Sequence, residues 1–292
     1  MFANPVPNLV PWVLAHVVAL MLAAPAAHAA GAPAFAWPEG QRAAVSLAYD
    51  DALDSQLDTA IPALDRHGLK ASFYLTLSAD SVQRRLADWR AVARSGHELA
   101  NHSLFHQCAG SKPDRAWVTP QRDLDATTVA QMQEQIALAD AMLQAIDGLQ
   151  QARTFTVPCG DRRARDGDYV DGLGARFVGI KVGGEAVVRD MATLDPLAVP
   201  VAAPVDMTGE ALIALVDAAA RRGTMVNLTF HGIGGDHLAV STEAHAQLLA
   251  HLAAHPDLFW VDTFAAQMRW VRAQRQVGGD MPPVAGAQTP GD

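Results

Sequence analysis

The sequence predicts an α/β fold, a barrel of about seven parallel strands wrapped by helices in one domain. Three observations carry this. Most of the predicted strands are continuous apolar runs, the pattern of strands buried on both faces. They alternate with helices along the chain, as parallel neighbours require. Seven or eight such strands within about 230 residues suit a closed barrel better than an open sheet, which periodicity alone leaves as the alternative.

The first strand is "AAVSLAY" (43–49), followed by a helix over 56–68 that Gly68 closes. "KASFYLT" (70–76) is the second strand, and a helix over 81–96 ends at Gly96. A short strand "HELAN" (97–101) precedes the long segment 108–126, which has no clear periodicity and the length of a functional loop. An amphipathic helix covers 127–146, and strands follow at 153–157 and 176–182. A helix over 209–223 leads to the strand "TMVNLTF" (224–230). Ser241 caps a helix over 241–255, with Glu243 close behind. A strand at 258–261 and a helix at 264–274 complete the domain, which spans 40–275. The Pro/Gly-rich remainder, 276–292, reads as a disordered tail. No internal repeat is present.

Composition narrows the partners. Half of the residues are hydrophobic and the net charge is -9, without a Lys/Arg run. Nucleic acid is therefore not expected as a partner. No charged side chain precedes Glu39. Leu9 to Ala24 has the character of a signal-peptide core, and Ala27-His28-Ala29 fits the small-x-small cleavage rule. A signal peptide over 1–29 is expected, and with it export to a periplasmic or extracellular location. The missing basic n-region leaves an uncleaved anchor as the alternative, although Pro11 and His16 interrupt a run that is short for a spanning helix. After Gly40 no further membrane candidate occurs, so no stable membrane insertion is expected once the leader is removed.

In parallel α/β folds the chemistry gathers at the C-terminal ends of strands. There the sequence places Asp50 and Asp51 after the first strand, His102 and His106 after "HELAN", "PCGD" after 153–157, and His231 after 224–230. His102 and His106 are four apart. On one helical turn both imidazoles would point the same way, as metal ligation needs. Two histidines and a carboxylate make a facial set that leaves positions open for water. The same spacing at His251/His255 lies at the end of a helix, where a solvated face is the simpler reading.

"SLAYDDA", "GHELANHSLFH", "TVPCG" and "LTFHGIG", in this order, resemble the polysaccharide deacetylase family (carbohydrate esterase family 4, the NodB homology domain) from about Ala43 to Val271. The resemblance implies a distorted (β/α)-barrel as a single catalytic domain, one divalent metal ion, usually zinc, and removal of acetyl groups from an acetylated glycan. It implies that Asp50 is the general base and that Asp51, His102 and His106 hold the metal. The backbone N–H of Cys159 would help hold the oxyanion, and His231 would protonate the leaving group. Consecutive strand residues point to opposite sides, so Asp50 and Asp51 must sit where the strand has already turned.

The sequence also departs from the family pattern. Ala52 stands where the family has the glycine of "DDG". Thr156 stands where an arginine orients the base, and Arg162, Arg163 or Lys181 could supply that cation. The Asp–Trp motif that tunes the acid histidine is not found; Asp206 and Asp262 are candidates for its acid. Of the tryptophans that could stack on sugar, Trp117 in the long loop is the best placed, Trp260 is a further candidate, and Trp89 suits the core. A non-catalytic glycan-binding relative and a hydrolase of another non-peptide C–N bond are the competing readings. Cys108 and Cys159 are expected to form a disulfide across the site's mouth, with two buried thiols or a cysteine as metal ligand as the alternatives.

Overall fold

The computed structural model describes residues 1–3 and 35–277. The apolar segment and cleavage site of the expected leader, and the tail beyond 277, lie outside the described residues. No helix among the described residues is long and apolar enough to cross a membrane.

Eight parallel strands form one sheet. They are β1 (Ala43–Asp50), β2 (Ser72–Leu75), β3 (Glu98–Asn101), β4 (Thr154–Thr156), β5 (Gly179–Gly183), β6 (Val199–Val201), β7 (Met225–Phe230) and β8 (Phe259–Val261). Each of β1 to β5 pairs with the next, and β7 returns to lie along β1 from Ala44 to Tyr49. A bridge between Ala202 and Leu228 joins the β6 side to β7, so seven strands make a nearly closed ring. β8 pairs with Ala43–Val45, at the start of β1, while β2 pairs with Ala48–Asp50 at its end. The two share one edge of β1, and the barrel is distorted there.

All eight residues of β1 are buried, which explains its unbroken apolar run. Alternation divides them. Val45, Leu47 and Tyr49 pack outward in the main core with Phe73, Trp89 and Leu248, whereas Ala44 and Ala48 belong to a second cluster with Tyr74, Phe264 and Met268. Asp50 shares the parity of Ala44, Ser46 and Ala48, so the strand itself aims it into the barrel.

The helices are α1 (Ile61–Arg66), α2 (Asp80–Arg84), α3 (Leu86–Arg94), α4 (Val129–Asp147), α5 (Gly209–Arg222), α6 (Thr242–Ala254) and α7 (Phe264–Val277). Three corrections to the sequence reading arise. The expected helix over 56–68 begins as a π-turn (Gln56–Ala60). The one over 81–96 is divided at Arg85, whose backbone leaves the helical region while its guanidinium reaches Asp54, Asp58 and Asp88. And α7 continues to Val277, beyond its expected end at residue 274. Caps behave as local chemistry dictates: Thr128 and Gln131 form a reciprocal capping box on α4, and Ser241 accepts from Ala244 N–H on α6.

Candidate active site

A cleft of roughly 1040 Å³ opens at the C-terminal ends of the strands. Its lining includes Asp50, Asp51, His102, His106, Cys159 and His231, with Trp117 at its edge. Each of the sequence-predicted site residues thus meets at one rim.

The two aspartates are separated by a backbone reversal. Asp50 is the last residue of β1, and Asp51 and Ala52 then take left-handed conformations with φ of 77° and 58°. This is the turn that lets adjacent residues face one site. For Ala52 it is a strained conformation, where glycine would be at ease. Gln56 is buried and ties the segment down: its Nε2 donates to the carbonyl of Asp50 and to that of His231, the latter at 3.2 Å.

The histidine pair is not on a helical turn, contrary to the reading of its spacing. It lies in a tight loop after β3, in which Ser103 and His106 have φ of 64° and 53°. Ser103 Oγ accepts from His106 N–H at 3.0 Å. The rings still converge, with centroids 4.7 Å apart. His102 Nδ1 lies 2.8 Å from the Thr156 carbonyl, which assigns the proton to Nδ1 and leaves Nε2 facing the cleft with a lone pair.

Asp51 Oδ1 lies 3.5 Å from His102 Nε2 and 3.2 Å from His106 Nε2. These ligand atoms all fall within 4.8 Å of one another. Asp51 Oδ1 is also buried without a hydrogen-bond partner among the described residues. An orphaned carboxylate oxygen beside two imidazole nitrogens is a donor set that fits a divalent cation. Asp50 Oδ2 is 3.7 Å from His102 Nε2, and His231 Nε2 is 3.9 Å from Asp51 Oδ2.

Electrostatics separates the two acids. Burial pushes Asp50 above the ordinary carboxylate range and Asp51 adds to this, while His102 and Lys181 oppose it. Burial acts the same way on Asp51, but the hydrogen bond from His237 and the neighbouring imidazoles of His106 and His102 hold it well below that range. Burial pulls His106 and His231 down to about 4.

Among the three candidate cations, the structure points to Lys181. Its side chain is wholly buried in the barrel, and Nζ donates to Ser46 Oγ at 2.9 Å. Arg162 is instead engaged by Asp168 and Asp171, and Arg163 is exposed on a short hairpin. Neither acid proposed to tune His231 reaches it. Asp206 is exposed, and Asp262 accepts from Thr263 N–H at 2.6 Å. His231 Nδ1 has no partner among the described residues. Trp89 is in the core, and Trp260 packs with Trp37 and Trp270 away from the cleft. Trp117 is 56% exposed, with the Arg115 guanidinium over its ring.

Cys108 and Cys159 form the expected disulfide, with Cα atoms 5.8 Å apart. Beside it the buried Asp161 accepts from Ala109 N–H at 2.9 Å and pairs with Lys112 and Arg115. The long loop is thus fastened to the Pro158–Gly160 turn by a covalent bond and an ion cluster. Gln56, Arg115 and His237 are site residues that the sequence reading missed.

The family model for polysaccharide deacetylases matches residues 38–178, a span that contains both aspartates, both loop histidines and Cys159. Over these residues the chain carries a polysaccharide deacetylase domain. Solved structures agree on the fold. A protein from Mycobacterium smegmatis, described as a candidate polysaccharide deacetylase, superposes with a TM-score of 0.58 at 17% identity, covering 87% of this chain and 97% of that one. The peptidoglycan deacetylase PdaC from Bacillus subtilis gives a TM-score of 0.53 at 16% identity, covering 83% and 97%. In sequence, a gellan lyase from Bacillus sp is 27% identical over 127 residues, which are 44% of this chain but only 4% of that protein. The chain therefore spans a small part of that curated relative.

Proposed function

We propose that the protein is a metal-dependent hydrolase that removes acetyl groups from an acetylated, extracellular glycan. The carrying observation is the convergence of Asp51 Oδ1 with two imidazole nitrogens beside a second, differently tuned carboxylate, Asp50. Asp51, His102 and His106 would hold the ion, with zinc the best match to two imidazoles and one carboxylate. When bound, it supplies a Lewis acid for the acetyl carbonyl and activates water.

The chain's own residues do the rest. Asp50, whose Oδ2 lies 3.7 Å from the same His102 Nε2 that faces Asp51, accepts the proton of the attacking water. The Cys159 N–H, in a turn pinned by the disulfide, donates to the oxygen that gains charge as the carbonyl carbon becomes tetrahedral. His231 passes a proton to the departing amine or alkoxide and is resupplied by the proton that Asp50 took from water, so the products are the deacetylated sugar and acetic acid, which ionises to acetate. Trp117 offers a sugar face a stacking partner at the cleft's edge.

A second reading, a glycan-binding relative without turnover, is favoured by one observation: among the described residues His231 Nδ1 lacks the acidic partner that would tune it. Acetate release from a panel of acetylated chito-oligosaccharides, peptidoglycan fragments and acetylated xylan separates the two. Release that stops with a chelator and returns with added zinc supports the hydrolase. Binding without release by zinc-loaded protein overturns it.

A further inference from the structure

Asp51 presents its two oxygens to different partners. Oδ1 faces His102 and His106, whereas Oδ2 lies 2.9 Å from His237 Nε2. We propose that His237 is a positioning residue, which holds the Asp51 carboxylate in the rotation that turns Oδ1 toward the ion. This rests on the metal-binding reading above.

His237 stands outside the ligand group. The set whose ligand atoms lie within 4.8 Å of one another comprises Asp51, His102 and His106. An Nε2–H that donates to Oδ2 has no lone pair to offer an ion from the same nitrogen. What it supplies is orientation. Asp51 sits on a strained, left-handed turn, and a carboxylate there is free to rotate unless its second oxygen is engaged. Partners of this kind commonly change metal affinity by about 10–100-fold.

The loop that carries His237 is tied to the segment that carries Asp51. Ser55, four residues after Asp51, donates its N–H to Asp236 Oδ2 at 2.9 Å, and its Oγ accepts from Ile233 N–H at 3.1 Å. The Gly232 N–H donates to the His237 carbonyl at 3.1 Å, closing the loop on itself. No side chain fits at Gly232, because a Cβ there would come within 1.9 Å of the Gly235 carbonyl oxygen. Asp236 and Leu238, which flank His237, both have positive φ, 63° and 49°. The imidazole is thus delivered to Asp51 by a loop of defined shape, although its side chain is 55% exposed.

The test is the zinc affinity of the full chain and of its His237→Ala and His237→Gln variants, by competition with a chromophoric chelator at fixed pH. Affinity should fall about 10–100-fold in the alanine variant and recover in part in the glutamine variant, whose amide can donate to Oδ2. Absorption spectra of the cobalt-saturated proteins should coincide, since no ligand is lost. Metal-free melting temperatures should also coincide. Equal affinity of His237→Ala and wild type overturns the inference. So does a cobalt spectrum changed by the substitution, which would make His237 itself a ligand, or a metal-free melting temperature lowered alike in both variants. A wild-type protein that binds no ion overturns the proposed function together with this inference; unchanged affinity in the variant overturns the inference alone.

Discussion

Lys181 Nζ donates to Ser46 Oγ across the barrel interior, 2.9 Å away, from a side chain with no solvent exposure. The ammonium also lies 4.6 Å from the Phe264 ring centre and 5.3 Å from that of Tyr74. Burial pulls its pKa down, and the carboxylates of Asp50 and Glu98 pull it back up. Glu98 is itself held by Ser72 and Thr154 hydroxyls, each at 2.6 Å. Removing the cation alone would strand two buried acids. Lys181→Met, which nearly keeps the volume, should therefore cost about 3–5 kcal/mol of stability. Urea denaturation measures this; a loss under about 1 kcal/mol would show that the lysine does not balance those acids.

Asp50 and Asp51 should fail in different ways. Asp51→Asn removes the orphaned oxygen's charge, so metal affinity and turnover should fall together. Asp50→Asn should retain the ion and lose roughly 100-fold or more in turnover, the scale of a missing general base. Metal content and acetate release, measured on both variants, check this. Near-full activity in Asp50→Asn would place the base elsewhere.

The Cys108–Cys159 bridge joins residues 51 apart, two positions beyond His106 and one after Pro158. In the chain-entropy model a loop of this length stabilises by about 4 kcal/mol. The Cys108→Ala/Cys159→Ala protein should lose stability on that order, and its zinc affinity should weaken because the His106 loop is released. Denaturation and chelator competition read the two effects separately. A double variant as stable as wild type would contradict the bridge's structural role.

Most of the barrel is legible in the sequence because strands buried on both faces must be apolar along their length. β6 escapes because its middle residue is Pro200, which removes a ladder donor and reads against a strand. The site's acids and histidines are legible because strand ends collect chemistry. Their geometry is less so: the spacing of His102 and His106 suggests a helical turn, and the chain uses left-handed residues instead. Choosing Lys181 over Arg162 and Arg163 requires knowing which side of β5 faces the interior. The contact of His237 with Asp51 joins residues 186 apart through a folded-back loop, and no local pattern announces it.

His245 gives a pH prediction that is independent of the metal ligands. Its ring is buried between α6 and the barrel, with Nε2 2.6 Å from Tyr49 Oη and the Phe230 ring centre at 5.6 Å. Burial pulls its pKa down to about 4, and His67 acts in the same direction. Between about 4 and the ordinary value near 6.5, the unfolded chain protonates this residue and the folded chain does not. The unfolded state then binds more protons, so stability falls as pH is lowered through this window. At full effect the loss is on the order of 3 kcal/mol. His245→Gln does not titrate and can still engage the Tyr49 hydroxyl. Stability measured by denaturant at pH 7 and near pH 4.5 should therefore decline less in the variant than in wild type. The other titrating groups contribute equally to both proteins and cancel in the difference. An identical decline in the two would mean that His245 is protonated in the folded state or is not buried.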